Sequence, residues 1–146
     1  MQLLRRAVFQ VILFLIVAVV SITFIISSFL HLQNPYQFFV TILRYDLVDN
    51  SFAMPLAVLL PAVQLVTGIW LLMRRHLIVP ALLSTLFCAT FCLLHIVTIL
   101  RGLDISCGCF GTFSEVVTWK TVVRDFCLAT GALVLFLHAF NSRNRR

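Results

Sequence analysis

The sequence predicts an all-α integral membrane protein, a four-transmembrane-helix bundle with a short interfacial helix in its first extracytoplasmic loop. Three observations carry this. Hydrophobic residues make up 62% of the 146-residue chain and charged residues only 11%, more apolar surface than the interior of a soluble domain can bury. Long stretches poor in charge recur at the length needed to cross a bilayer, about 20 residues for roughly 30 Å of hydrocarbon. Basic and acidic side chains also sort between the two sides that these stretches define.

The first span is predicted at about residues 7–30, where only Gln10 and scattered hydroxyls interrupt the apolar run. Arg5 and Arg6 precede it like the basic start of a signal peptide. The run is much longer than the 7–15 or so apolar residues of a signal sequence and no small-residue cleavage site follows before Pro35, so the expectation is a retained helix. In the first loop, Asn34-Pro35 supplies an N-cap and a first-turn proline, and Phe38, Phe39, Ile42 and Tyr45 then recur on one helical face. That pattern predicts a short helix lying in the interface as a lid or anchor.

Spans two and three are expected at about 52–73 and 77–100. The fourth is less clean, because Lys120, Arg124 and Asp125 precede an apolar stretch too short to cross alone. It reads as a helix over about 115–140 whose first turns lie at the interface or face the bundle interior. Nothing resembling a linker divides the chain, so residues 1–146 are expected to form a single transmembrane domain.

Charge sets the expected orientation. An even number of spans puts both termini and the 74–76 turn on one side with Arg5, Arg6, Arg74, Arg75, Arg143, Arg145 and Arg146. The other side holds Arg44, Arg101, Lys120, Arg124 and all the acids, Asp46, Asp49, Asp104, Glu115 and Asp125. The positive-inside rule makes the first side cytoplasmic, and the expected location is the inner (plasma) membrane. The formal charge of +6 is then an orientation signal, and no nucleic-acid partner is inferred. Trp70 and Trp119 fall where aromatic belts form.

The stretch that reads as chemistry is Arg101-Gly102-Leu103-Asp104-Ile105-Ser106-Cys107-Gly108-Cys109-Phe110-Gly111. It puts two thiols in a polar loop on the extracytoplasmic side, where disulfides persist. Gly108 lowers the steric cost of a bond between Cys107 and Cys109. Such a bond closes almost no loop, so it stabilises little, and its strain makes it exchangeable. A redox-active pair explains the spacing best; disulfides to other cysteines and metal ligation are the alternatives. Arg101 and Arg124 are the candidate groups for stabilising a thiolate.

Cys88 and Cys92 share a face of span three, and Cys127 of span four lies at a depth similar to Cys88, so these thiols are candidates for a relay as well as ordinary packing. His95 stands about five residues inside the outer end of span three, within reach of the loop. Gln64 shares a face with Gly68 on span two after Pro61, suiting close packing and an interhelical hydrogen bond. No phosphate loop, paired carboxylates, HExxH zinc site or CxxCH haem motif occurs. No metal is assigned and no cofactor is evident.

Asn34-Pro35 with Phe38, Leu60-Pro61 with Gln64 and Gly68, Arg101-Gly102, Cys107-Gly108-Cys109-Phe110-Gly111, and Trp119 with Arg124-Asp125 together resemble the methylamine-utilisation MauE family within the DoxX-like group of redox-associated membrane proteins. The likeness covers most of the chain. Gln64 stands where that family usually has glutamate, and Asp125 where it has asparagine. The resemblance implies four membrane helices and a role in supplying or withdrawing reducing equivalents while an extracytoplasmic partner matures, often near thioredoxin-like proteins. Beside membrane lipid, the expected partner is such a redox protein or client. A non-catalytic assembly subunit is the reading of a different class, and a DoxX-like oxidoreductase subunit using quinone is a third.

Overall fold

A computed structural model describes residues 1–45, 48–102 and 117–144. Those residues form five helices, α1 (Gln2–Gln33), α2 (Pro35–Arg44), α3 (Asn50–Leu72), α4 (Ile78–Leu100) and α5 (Trp119–Asn144). Four of them, all but α2, are long and apolar enough to cross a membrane. The fold is the expected all-helical bundle with a short accessory helix, and the protein is a multi-pass membrane protein.

Several boundaries differ from the expected ones for local reasons. α1 runs on to Gln33, because nothing breaks it before Asn34-Pro35, where the residue preceding a proline is pushed out of the helical region. α3 starts at Asn50, since Asp49 is extended (φ −65°, ψ 154°) and its carbonyl accepts from Phe52 and Ala53 N–H. α5 is described from Trp119, with Thr118 as its entry: Thr121 and Val122 N–H reach the Thr118 carbonyl, and Thr118 N–H reaches the Thr121 hydroxyl at 3.5 Å. Glu115, the expected start, lies outside the described residues.

Neighbours run antiparallel, α4 against α5 and α1 against α3, with α5 also touching α1. Small and polar side chains dominate the buried faces of α3 and α4, while Leu13, Val20, Phe24 and Leu135 supply apolar core from α1 and α5. Ala53, Ala57, Pro61, Gln64, Thr67, Gly68 and Leu71 form the buried stripe of α3, and Ala81, Ser84, Cys88, Cys92, His95 and Thr98 that of α4. Phe14, Leu15, Phe29, Leu59, Leu86 and Phe126 point outward. Lipid solvates apolar side chains as well as the protein interior does, so close approach of backbones, not burial of bulk, drives association. Ser28 and Thr67 bond within their own helices, to the Phe24 and Val63 carbonyls, as suits a medium without water, whereas the buried Ser21 hydroxyl has no hydrogen-bond partner among the described residues.

The tightest approach is at Gly68, where a Cβ would stand 3.0 Å from Phe24 Cβ and 3.2 Å from the Ser21 carbonyl oxygen. Gly68→Val should therefore part α1 from α3 and lower stability in detergent by about 1–3 kcal/mol, the usual cost of overpacking. An unfolding midpoint within error of the parent would show that this contact does not set the packing.

α2 docks at the end of the bundle where α1 finishes and α3 begins. Phe38 is buried and stacks on buried His31 with ring centroids 4.1 Å apart. Thr41, outside the expected aromatic row, is the other buried residue of α2, while Phe39, Ile42 and Tyr45 are half-buried.

Candidate functional site

The polar chemistry of the described residues gathers at the end of the bundle where α4 finishes and α5 starts. Asp125 is the hub. It lies six residues into α5, about 9 Å along the helix from Trp119 at 1.5 Å per residue, and it is 6% exposed. Its inward direction follows from the 3–4 spacing of Thr121, Val122, Asp125, Ala132 and Leu135, the buried residues of α5.

Asp125 Oδ2 lies 2.6 Å from His95 Nδ1 across the α4–α5 interface, and His95 is fully buried. Nδ1 and the carboxyl oxygen share one proton in this hydrogen bond, and the tautomer of the ring decides which of them donates. Asp125 Oδ1 accepts from Arg124 Nε at 3.1 Å and Nη2 at 3.0 Å. The Arg124 side chain is 40% exposed, so the network runs from the bundle interior to its surface. An ionisable residue at this depth is costly unless paired, and here the pairing is direct.

Below the network lies a small cavity of about 40 Å³, bordered by Gln64, Ser27, Thr23, Cys88, Arg124 and Asp125, with room for about one to three waters. Gln64 thus reaches the site from α3, one turn from the Gly68 contact with α1. Pro61 is buried on the same stripe.

The remaining residues singled out from sequence fall into three groups. Cys107, Gly108, Cys109, Phe110 and Gly111 lie outside the described residues. Arg101 and Gly102 end α4: Arg101 is exposed, and Gly102 takes the left-handed conformation (φ 63°) with its N–H on the Ile99 carbonyl, the backbone of a glycine helix stop.

The described cysteines, Cys88, Cys92 and Cys127, are free thiols. Cys88 borders the cavity and Cys92 Sγ approaches the Val122 carbonyl at 3.9 Å, whereas Cys127 is exposed on a groove between α1 and α5. The structure therefore brings Cys88, Cys92 and His95 to the inward face of α4 and leaves Cys127 outside it. Among the described residues no group of three or more histidine, cysteine or acidic side chains is assembled for a metal.

Asp125 is the residue of this site that the sequence reading singled out only within the family resemblance. Its signal was available: an acid inside a span, on the inward register of α5, at the same depth as His95 on the neighbouring helix.

No curated protein and no solved structure matches the chain. A family model does, that of the methylamine utilisation protein MauE, over residues 9–138, which takes in α3, α4, most of α1 and α5, and the segment between α4 and α5. The chain belongs to the MauE family.

Proposed function

We propose that this chain is a redox membrane protein of methylamine utilisation that exchanges disulfides, through Cys107 and Cys109, with an extracytoplasmic partner during its maturation. The observation that carries the reading is the His95–Asp125–Arg124 network. A bundle meant only to anchor or scaffold has no need of a buried imidazole and a buried carboxyl linked across two spans, where each is expensive. Their position supports the loop as the working part, since α4 and α5 are the helices that the cysteine segment connects. Family membership and the sequence of the loop supply the rest.

In the proposed exchange, a partner thiolate attacks one sulfur of the Cys107–Cys109 disulfide. A mixed disulfide forms, the loop S–S bond breaks, and the second loop sulfur leaves as a thiolate. The second partner thiol, after losing its proton, attacks the mixed disulfide; the partner leaves as a disulfide and the loop as a dithiol. Two electrons pass from partner to loop, and the same steps in reverse reduce a partner. Arg101, at the exposed end of α4, and Arg124 supply the positive charge that favours a leaving thiolate.

The charge distribution supports a topology with the 74–76 turn and both termini in the cytoplasm and the loop on the oxidising side of the plasma membrane. A membrane-impermeant maleimide applied to intact cells after reduction should label Cys107 or Cys109. Labelling that requires a permeabilised membrane would reverse the orientation. The exchange is tested in its reducing direction with Cys109→Ser: the Cys107 thiolate attacks a partner disulfide, one partner sulfur leaves as a thiolate, and with no second loop sulfur to resolve it the mixed disulfide should accumulate on a discrete protein identifiable by mass. Cysteines with a purely architectural role would give no such adduct.

A further inference from the structure

At the opposite end of the bundle, the α3–α4 turn and the last turns of α5 enclose a groove of about 320 Å³. Its polar lining is basic, with Arg74 and His76 from the turn and His138 and Arg143 from α5. Leu77 and Ile78 form an apolar wall where α4 begins. The chain has no aspartate or glutamate between residues 50 and 103 or after Asp125, so neither element brings a carboxylate to neutralise this groove.

The backbone here is unusual. Arg74 and His76 both adopt left-handed conformations, φ 56° and 52°, a region that side chains with a Cβ occupy at a cost and that glycine would occupy freely. Specific contacts hold the turn. Trp70 Nε1 donates to the Arg75 carbonyl at 3.1 Å, and the Arg74 guanidinium carbon stands 5.5 Å from the centre of the Phe14 ring. On the other wall, the Phe9 ring meets His138 edge-on at 5.4 Å. The Ser142 hydroxyl donates back to the His138 carbonyl at 2.8 Å, leaving guanidinium and imidazole groups as the donors for a ligand. Backbone strain kept at two basic residues, when glycine would reverse the chain without it, is the pattern of a ligand clamp.

We infer that this groove binds the headgroup phosphate of an anionic phospholipid. Arg74 and Arg143 are the charged clamp, His76 and His138 add N–H donors, and Leu77 and Ile78 meet the first methylenes of the acyl chains. A lipid fits better than free phosphate, because the groove lies at the ends of three membrane helices and one wall is apolar. The assignment is independent of the thiol-exchange reading.

The test uses the full chain carrying Trp119→Phe, so that Trp70 is the one indole and reports on the turn, purified in a neutral detergent. Phosphatidylglycerol should shift Trp70 emission saturably, while phosphatidylcholine and inorganic phosphate at the same concentrations should not. Each arginine near an anionic lipid surface contributes about fivefold to affinity, so Arg143→Gln should weaken binding about fivefold and the double variant Arg74→Gln/Arg143→Gln about 30-fold. Arg44→Gln, at the far end of the bundle, should leave it unchanged. Because Arg143 is on the exposed last turn of α5, its single variant keeps the test valid if the double variant misfolds. Equal binding of phosphatidylcholine, unchanged phosphatidylglycerol affinity in Arg143→Gln, or an equal shift with inorganic phosphate would each overturn the assignment.

Discussion

Replacing Asp125 with leucine is expected to lower the stability of the bundle by about 3 kcal/mol, because it removes the buried carboxyl that ties His95 of α4 to Arg124 of α5. Ordinary interhelical hydrogen bonds in membranes contribute less, about 0.6 kcal/mol on average and at most about 1.7. Asp125 should exceed that range because it is hydrogen-bonded to two side chains, His95 at 2.6 Å and Arg124 at 3.0–3.1 Å, and the imidazole it holds is fully buried. The Arg124 part is discounted, since its side chain is 40% exposed and water or headgroups can replace the carboxylate there. Asp125→Asn keeps the shape and one acceptor and should cost only about 1 kcal/mol. Unfolding in mixed detergent measures both variants. A leucine variant within about 0.5 kcal/mol of the parent, below even an average membrane hydrogen bond, would mean that the network does not hold α4 to α5.

The membrane class, the number of long helices and the short helix after Asn34-Pro35 were legible because each rests on a local property: run length, hydropathy, or a proline that stops one helix and opens the next. Helix ends were less legible. Nothing in the hydropathy of Leu30 to Gln33 separates a membrane residue from one that merely continues the helix, and the Thr118 entry to α5 depends on backbone hydrogen bonds rather than composition. His95 and Gln64 stood out as polar residues in apolar runs, but their partners did not. The first turns of the fourth span, with Lys120, Arg124 and Asp125, read as lying at the interface or facing the bundle interior, and the rotation of α5 against α4 turns Asp125 inward while Lys120 stays exposed. Depth matching alone suggested Cys127 as a neighbour of Cys88, yet Cys127 is two residues beyond Asp125 and so faces the other way on the helix. Rotation about a helix axis is set by contacts between helices, and one span's own sequence carries it weakly when nearly every position is apolar.

The largest functional effect is expected at the loop. Cys107→Ser with Cys109→Ser removes both sulfurs and with them every exchange step, so partner maturation should fall to the background seen without the protein. Membrane levels should be unchanged, because a disulfide across one intervening residue constrains the unfolded chain very little. This separates the loop variant from Asp125→Leu, which acts through folding and should reduce activity together with the amount of protein. When the reduced loop attacks a partner disulfide, Arg124→Gln should slow exchange by raising the thiol pKa, with the deficit shrinking as pH rises toward the ordinary thiol value of about 8.5.

The most direct measurement of the central claim is the quantity of matured partner per unit of membrane-inserted protein in cells carrying the double serine variant. The redox account predicts normal insertion with no matured partner above background. Normal maturation at normal insertion would contradict it and leave the chain as an assembly subunit whose loop cysteines are dispensable.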